Sequence, residues 1–280
     1  MKMKEINKKA ETLIEALPYI QKYHGKIVVI KYGGNAMTDA KIKNEVMKDI
    51  VLLKHVGMNP VVVHGGGPDI SKAMLKAKIK PNFVHGHRVT DKKTLQIVEK
   101  VFENINKDIV SLIKKNGSEA ITISGKDNKL IQVKQKDPKL GYVGNIEKIN
   151  PHIIKSLIKE GYVPVISVIG IGKNNRSYNI NADSAATAIA IALKAEKLTI
   201  LTNVEGVIVD DKKVSHLAIK DAKKLIKKGI INKGMIPKVQ ACMHAVEKGC
   251  PKAHLIDGTT KHALLLEIFT DKGIGTEIVK

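Results

Sequence analysis

Two short glycine turns, each leaving an apolar run and entering a helix-like pattern, limit what this chain can become. The first is Ile27-Val28-Val29-Ile30-Lys31-Tyr32-Gly33-Gly34 and the second is Val61-Val62-Val63-His64-Gly65-Gly66-Gly67. A β-branched run closed by glycine reads as a buried strand that ends in a tight turn. Glycine has no Cβ, so backbone N–H groups there approach a bound group closely and form an anion-binding concavity. Lys31 adds a positive charge inside the first turn. Either turn alone serves packing as well as ligand contact; two of them, one with a lysine, point to a site that handles phosphate.

The alternation continues along the chain. Apolar runs at 27–32, 60–64, 119–124 and 163–168 alternate with helical patterns at 40–56, 68–78, 91–116 and 151–160, with a hairpin near 129–145. This βαβ rhythm predicts an α/β fold, a three-layer α/β/α sandwich around a mainly parallel sheet. A polar break at 170–177 is the candidate hinge between two lobes. The second lobe has helices at 182–193, 218–228 and 236–248, strands at 197–202 and 253–256, and a late strand pair near 264–269 and 275–278. The expected divisions are 1–25, 26–175 and 176–280. Ahead of the first strand, Leu13, Ile14, Leu17, Ile20 and Tyr23 give an amphipathic helix over about 8–23, which Pro18 is expected to kink or break. Either a partner subunit or the chain's own core covers its apolar face.

At 280 residues and 43% hydrophobic, the chain can bury a full core. With 3% aromatic residues and no Trp, that core is built from Ile, Val, Leu, Ala and Met. A formal net charge of +21 ordinarily suggests a nucleic acid or an anionic surface. Here the lysines are spread over every polar face with no long basic block, so no nucleic-acid partner is expected, although the field still attracts anionic small molecules. Cys242 and Cys250 have no metal-finger spacing and read as buried thiols of a reducing cytosol. The charged start Met1-Lys2-Met3-Lys4-Glu5 lacks a signal-peptide core, and no apolar run reaches transmembrane length, so a cytoplasmic protein without membrane association is expected.

Few groups stand ready for chemistry. Asn179-Ile180-Asn181-Ala182-Asp183 opens an Ala-rich helix, where its polar residues either cap the helix or point into a cleft. Gly234-Met235-Ile236-Pro237-Lys238 opens another, and a lysine near a helix N-terminus opposes the macrodipole, as expected of a charge held for a ligand or of an ordinary exposed lysine. Arg88 and Arg176 are the only arginines in a lysine-rich chain. A guanidinium offers a carboxylate a planar bidentate fork, so Arg88 reads as a carboxylate clamp or as a surface ion pair ahead of the helix at Asp91. His64, His85 and His87 form no closed metal-ligand set.

Taken together, Lys31-Tyr32-Gly33-Gly34, His64-Gly65-Gly66-Gly67-Pro68, Gly86-His87-Arg88-Val89-Thr90, Ser124-Gly125-Lys126-Asp127, Asn179-Ile180-Asn181-Ala182-Asp183, Leu201-Thr202-Asn203-Val204-Glu205-Gly206-Val207 and Gly234-Met235-Ile236-Pro237-Lys238 make the chain resemble the amino-acid kinase family. The resemblance covers essentially the whole chain, and the His-Arg-Val-Thr segment favours the branch that phosphorylates N-acetyl-L-glutamate in arginine biosynthesis. It implies that Lys31 and Lys238 flank the moving phosphoryl group while Asp183 holds both ammonium groups. It implies that Gly33, Gly34 and Gly66 donate N–H bonds to phosphoryl oxygens, and that Gly66, Gly67, Arg88 and Asn179 bind acetylglutamate. Thr202, Asn203, Gly206 and Lys238 fall to the nucleotide, ATP, which carries Mg²⁺ on its own phosphates. The lobe at 26–175 takes the acceptor and the dimer contact, and 176–280 takes ATP.

Arginine-inhibited members of the family carry an N-terminal helix that interlaces dimers into a hexamer. The resemblance therefore implies a hexameric trimer of dimers with arginine as effector, bound by Tyr19, His254, Glu267 and Gly273. Two residues depart from the pattern: Asn203 stands where many relatives have Asp, and Lys233 where a Gly-Gly pair is common. Kinases for another carboxylate, a nucleoside monophosphate or carbamate share the fold. A non-catalytic amino-acid sensor and a basic nucleic-acid-binding protein are the readings outside catalysis; retention of Lys31, Asp183 and Lys238 argues against the sensor.

Overall fold

In a computed structural model, residues 3–270 and 273–280 are described. Helix α1 (Met3–Tyr23) precedes β1 (Ile27–Tyr32), α2 (Ala40–His55), β2 (Asn59–His64), α3 (Gly67–Lys76), the two-residue strands β3 (Phe83–Val84) and β4 (His87–Arg88), α4 (Lys92–Lys115) and β5 (Ala120–Ser124). Then come β6 (Ile131–Gln135), β7 (Gly144–Ile149), α5 (His152–Lys159), β8 (Val163–Ser167), β9 (Ile169–Ile171), β10 (Ser177–Asn179) and α6 (Ala182–Leu193). The chain ends with β11 (Lys197–Thr202), β12 (Ile208–Val209), β13 (Lys212–Lys213), β14 (His216–Ala218), α7 (Ile219–Lys227), α8 (Met235–Glu247), β15 (Lys252–Asp257), α9 (Ala263–Ile268) and β16 (Thr276–Val279).

One eight-stranded sheet, in the order β14-β16-β15-β11-β1-β2-β8-β5, runs through the molecule. Its pairs are parallel except β15 with β16. Two apolar clusters cover its faces, one containing Val29, Val61, Ile166 and Ile200 and the other Val28, Ile30, Val62 and Val165. The alternation of Val28, Val29 and Ile30 between them explains why β1 reads as unbroken apolar sequence: both of its faces are covered. The chain proceeds from β1 to β2 on one side and later returns to β11 on the other. The ends of these strands form the crevice where open α/β sheets bind ligands. Register sets Lys31 beside Val63 and Ile200, and Gly65 N donates to the Tyr32 carbonyl at 2.9 Å, so the two glycine turns lie side by side.

Helix starts follow capping chemistry. Asp39 accepts from Lys41 N and Ile42 N at the start of α2, Asp91 from Thr94 N at α4, and Asn181 from Ser184 N at α6. Fully buried Ala185, Ala186 and Ala190 form much of the core face of α6.

Three expectations are corrected. Helix α1 is continuous through Pro18 and starts earlier than expected; the proline is exposed, so the carbonyl that loses its N–H partner is left to water. The run at 264–269 is helix α9, because Ala-Leu-Leu-Leu favours helix and buries Leu264 and Ile268 one turn apart while Leu266 stays 39% exposed. The break at 170–177 is the antiparallel hairpin β9–β10, part of a second sheet in the order β10-β9-β6-β7. Gly170 is buried there, and a Cβ on it would sit 2.6 Å from Val133 Cγ1 and from Ile180 Cδ1, so close packing rather than free rotation requires the glycine.

The expected hairpin near 129–145 is β6–β7, whose second strand runs on to Ile149. On α1, Leu13, Ile14 and Leu17 are 72%, 67% and 44% exposed, so the chain's own core leaves this part of the face uncovered while it buries Tyr23 at the helix end.

Candidate active site

Asp183, in the first turn of α6, bridges two lysines from different parts of the chain. Lys31 Nζ at the end of β1 lies 3.0 Å from its Oδ1, and Lys238 Nζ from α8 lies 2.8 Å from its Oδ2. The second contact is an aligned hydrogen bond; the first is an ion pair without that alignment. Lys31 and Asp183 are buried, whereas the Lys238 side chain is 24% exposed. Burial, helped by the neighbouring Lys238 charge, pushes the Lys31 ammonium below the ordinary lysine range against the opposing pull of Asp183. Burial also works against the Asp183 carboxylate, yet the two ammonium groups outweigh it and hold the group below the usual carboxylate range. The net result is two cations fixed on one anion, one more positive charge than negative.

A cavity of about 250 Å³ adjoins this triad and is lined by Lys31, Gly33, Gly34, Gly65, Gly66, Gly67, Arg88, Asn179 and Asp183. A Cβ on Gly33 would lie 2.9 Å from Lys31 Nζ, so the glycine leaves room for the ammonium. The α3 N-terminus follows Gly66, with Pro68 in its first turn, and brings the positive end of a helix to the same cavity.

Arg88 lies in this cavity wall and is 7% exposed, which excludes the surface ion pair. Its Nη2 donates to the Gly67 carbonyl and to Ser71 Oγ, both at 2.9 Å, and Nη1 to Met74 Sδ at 3.1 Å. The Phe83 ring stacks 4.7 Å from the guanidinium carbon. None of these partners is an anion, and among the described residues no carboxylate pairs with Arg88, so its charge is available to a ligand. Asn179 Nδ2 donates to Thr90 Oγ1 at 3.3 Å. At 179–183 both sequence readings hold, on different residues: Asn181 caps the helix and Asp183 faces the cleft.

The expected nucleotide residues lie elsewhere. Thr202 ends β11 and its hydroxyl closes the following turn through Val204 N and O at 2.9 and 3.0 Å. The Asn203 amide lies against Gly34, where a Cβ would meet its Oδ1 at 2.5 Å. Gly206 packs on Thr276. None of the three lines the cavity, and Lys238 reaches it through Asp183. Lys233, with φ of 44°, occupies the left-handed region that a glycine adopts without strain.

Sequence reasoning missed the residues that hold the site in shape: Ser71, Met74, Phe83, Thr90 and Asn106. Ser71 was accessible to it, since it follows Gly67 by one helical turn and shares its face. Among the described residues no group of three or more His, Cys, Asp or Glu could hold a metal ion. Asp183 is already occupied by two lysines, so this site offers no protein cage for Mg²⁺.

A second cavity, of about 140 Å³, brings together Tyr19, His254, Glu267 and Gly273 with Lys197, Lys252 and Glu277. Asp271 and Lys272, next to Gly273 in sequence, lie outside the described residues. Glu267 contacts His254 Nδ1 at 2.7 Å and Lys197 Nζ at 3.2 Å, and accepts from Ile274 N at 3.0 Å. Despite burial, the His254 contact and the Lys197 charge bring its pKa down from 4.5 to about 2. A depressed carboxylate pKa stabilises the fold above the unfolded value, and the effect is lost as pH falls toward about 2. Glu267→Gln is therefore expected to cost roughly 3 kcal/mol at pH 7 and progressively less below about pH 4.5. Thermal unfolding of both proteins against pH checks this; a gap that does not change with pH would assign the loss to packing.

The model of the amino acid kinase family matches residues 26–257. The chain belongs to the amino acid kinase family. It is 54% identical over 279 residues to the acetylglutamate kinase of Caldanaerobacter subterraneus subsp. tengcongensis, covering 97% of this chain and 93% of that one. It is 50% identical over 278 residues to the acetylglutamate kinase of Syntrophomonas wolfei, covering 97% of each. Among solved structures, N-acetylglutamate synthase from Neisseria gonorrhoeae complexed with coenzyme A and N-acetyl-glutamate superposes with a TM-score of 0.86 at 22% identity. The match covers 97% of this chain but 63% of the synthase chain, less than two thirds of its length. Carbamate kinase from Giardia lamblia bound to AMP-PNP superposes with a TM-score of 0.69 at 22% identity, over 91% of this chain and 99% of that one. At these identities the solved structures share the fold. The family match and the acetylglutamate kinases that share half or more of its residues over nearly the full chain make it an enzyme of the phosphotransferase class.

Proposed function

We propose that the chain transfers the γ-phosphoryl group of ATP to the γ-carboxylate of N-acetyl-L-glutamate, giving N-acetyl-L-glutamyl 5-phosphate and ADP, the second step of arginine biosynthesis, in the cytoplasm. The observation that carries this reading is the Asp183-bridged lysine pair beside the glycine turns, in a cavity that Arg88 walls with an unpaired guanidinium. A carboxylate acceptor is already ionised near neutral pH, so the site needs no general base. What it needs is positioning and positive charge on the transferring group, and this chain's own residues offer both.

In this reading Lys31 faces the phosphoryl group from the acceptor side and Lys238 from the nucleotide side. Gly33, Gly34 and Gly66 donate backbone N–H bonds to its oxygens. Arg88 takes the α-carboxylate of acetylglutamate, with Gly66, Gly67 and Asn179 around it. Thr202, Asn203 and Gly206 attend the nucleotide. Mg²⁺ accompanies ATP on its phosphates and water. The division of labour follows the expected lobes, 26–175 for the acceptor and dimer contact and 176–280 for ATP. ADP release measured with acetylglutamate, acetylaminoadipate, glutamate and UMP tests the reading. Acetylglutamate is expected to exceed the others by at least tenfold, and preference for the longer acetylaminoadipate would move the enzyme to another carboxylate.

The cavity around Tyr19, His254, Glu267 and Gly273 fits arginine as a feedback inhibitor, with carboxylates for a guanidinium and lysines for a carboxylate. The exposed apolar face of α1 supports a role for residues 1–25 in interlacing dimers into a hexamer. Deleting 1–25 is expected to leave a dimer that turns over and has lost inhibition by arginine. Light scattering and inhibition curves check this; a truncated protein that stays hexameric and arginine-sensitive would overturn it.

A further inference from the structure

His64 ends β2 and is fully buried beneath the second glycine turn. Its Nδ1 lies 2.9 Å from the Gly65 carbonyl oxygen, and its Nε2 lies 2.9 Å from Oδ1 of Asn106 on α4. Asn106, buried as well, donates Nδ2 to the Ile123 carbonyl of β5 at 3.2 Å. Phe102, one turn earlier on α4, meets the imidazole edge-on with centroids 5.6 Å apart at 81°. The ring therefore has one orientation, set from three elements.

A carbonyl oxygen can only accept, so the contact with Gly65 is a hydrogen bond when Nδ1 carries the proton. Oδ1 of Asn106 opposite Nε2 asks for a donor too, and turning the amide end for end would set Oδ1 against the Ile123 carbonyl oxygen, so both ring contacts are hydrogen bonds together only in the doubly protonated ring. A neutral ring serves only one of the two contacts, and with its proton on Nδ1 it serves the Gly65 carbonyl. A trans peptide sends its C=O and the following N–H in opposite directions. Holding the Gly65 carbonyl against the imidazole therefore turns the Gly66 N–H away from it, and Gly66 lines the cavity beside Lys31.

We propose that His64 is a positioning residue of phosphoryl transfer: its Nδ1–H pins the Gly65–Gly66 peptide so that the Gly66 amide faces the reacting groups, and Asn106 anchors the ring to β5. The identity of those groups rests on the acetylglutamate reading; the hydrogen bond does not.

Two amide substitutions separate the two ring nitrogens. Asparagine places its amide nitrogen near Nδ1 and keeps the bond to Gly65, whereas glutamine reaches the Nε2 position and keeps only the tie to Asn106. His64→Gln is expected to lower kcat/KM for acetylglutamate by about thirtyfold or more, and His64→Asn by no more than about fivefold. Equal losses in the two variants, or the reverse order, would overturn the proposal in favour of simple space filling. Imidazole ¹⁵N spectra of the histidine-labelled full-length wild type give a readout independent of variant folding and of substrate. A protonated Nδ1 at His64 is expected, and an unprotonated Nδ1 would overturn the pin. Wild type that shows this proton but releases no ADP with acetylglutamate would instead count against the acetylglutamate reading.

Discussion

Lys31→Ala is expected to reduce turnover by about a hundredfold or more, with a smaller change in the KM for either substrate. Burial works against the Lys31 ammonium, and Asp183 at 3.0 Å opposes that pull. The charge is thus held in place before the reaction begins, where it is worth most as negative charge redistributes over the phosphoryl oxygens. Deleting it also leaves Asp183 with Lys238 alone, so the site loses its net positive charge. Lys238→Ala is expected to act in the same direction, and Asp183→Asn to release both lysines at once. The three losses are not expected to add, because the residues form one unit joined through Asp183. Single-turnover rates with saturating acetylglutamate separate this from weakened binding. A variant whose loss lies wholly in KM would show that Lys31 only collects substrate.

Arg88→Lys is expected to raise the KM for acetylglutamate by about thirtyfold or more and to change kcat far less. The substitution keeps the charge and removes the geometry. The guanidinium is fixed at once by the Gly67 carbonyl, Ser71, Met74 and the Phe83 ring, and a lysine cannot satisfy that set while facing a carboxylate. A fork placed beforehand loses little freedom on binding, which is where its advantage over an ammonium lies. Initial rates against acetylglutamate at fixed ATP check the KM, and the KM for ATP should stay within about twofold. A comparable rise for both substrates would mean that Arg88 supports the cavity wall without contacting the acceptor.

The sequence carried most of the sheet because β1, β2, β8 and β11 are covered on both faces and so appear as uninterrupted apolar runs. It misled at 264–269, where three leucines in a row fit a strand or a helix, and burial of Leu264 with Ile268 decides for the helix. It misled again at 170–177, where glycines kept small for packing against Val133, Tyr178 and Ile180 resemble glycines kept for freedom. In the site, Lys31, Arg88 and Asp183 stood out by charge or rarity in an apolar or glycine-rich setting. Lys238 stood out only by its place at a helix start. The partners that hold these groups were hidden. Thr90 meets Asn179 across 89 positions, and Asn106 meets His64 across 42, separations at which no local periodicity operates. Lys197 lies fully buried within β11, and only the fold shows that Glu267 answers it.

The most direct test of the phosphoryl-transfer account is to trap its product. An acyl phosphate reacts with hydroxylamine to give a hydroxamate, so ATP, acetylglutamate and hydroxylamine with the full-length enzyme report the bond that forms. The expected result is one acetylglutamyl hydroxamate for each ADP released, with both signals falling together in Lys31→Ala. ADP released at the same rate without acetylglutamate, or without hydroxamate, would contradict transfer to the γ-carboxylate.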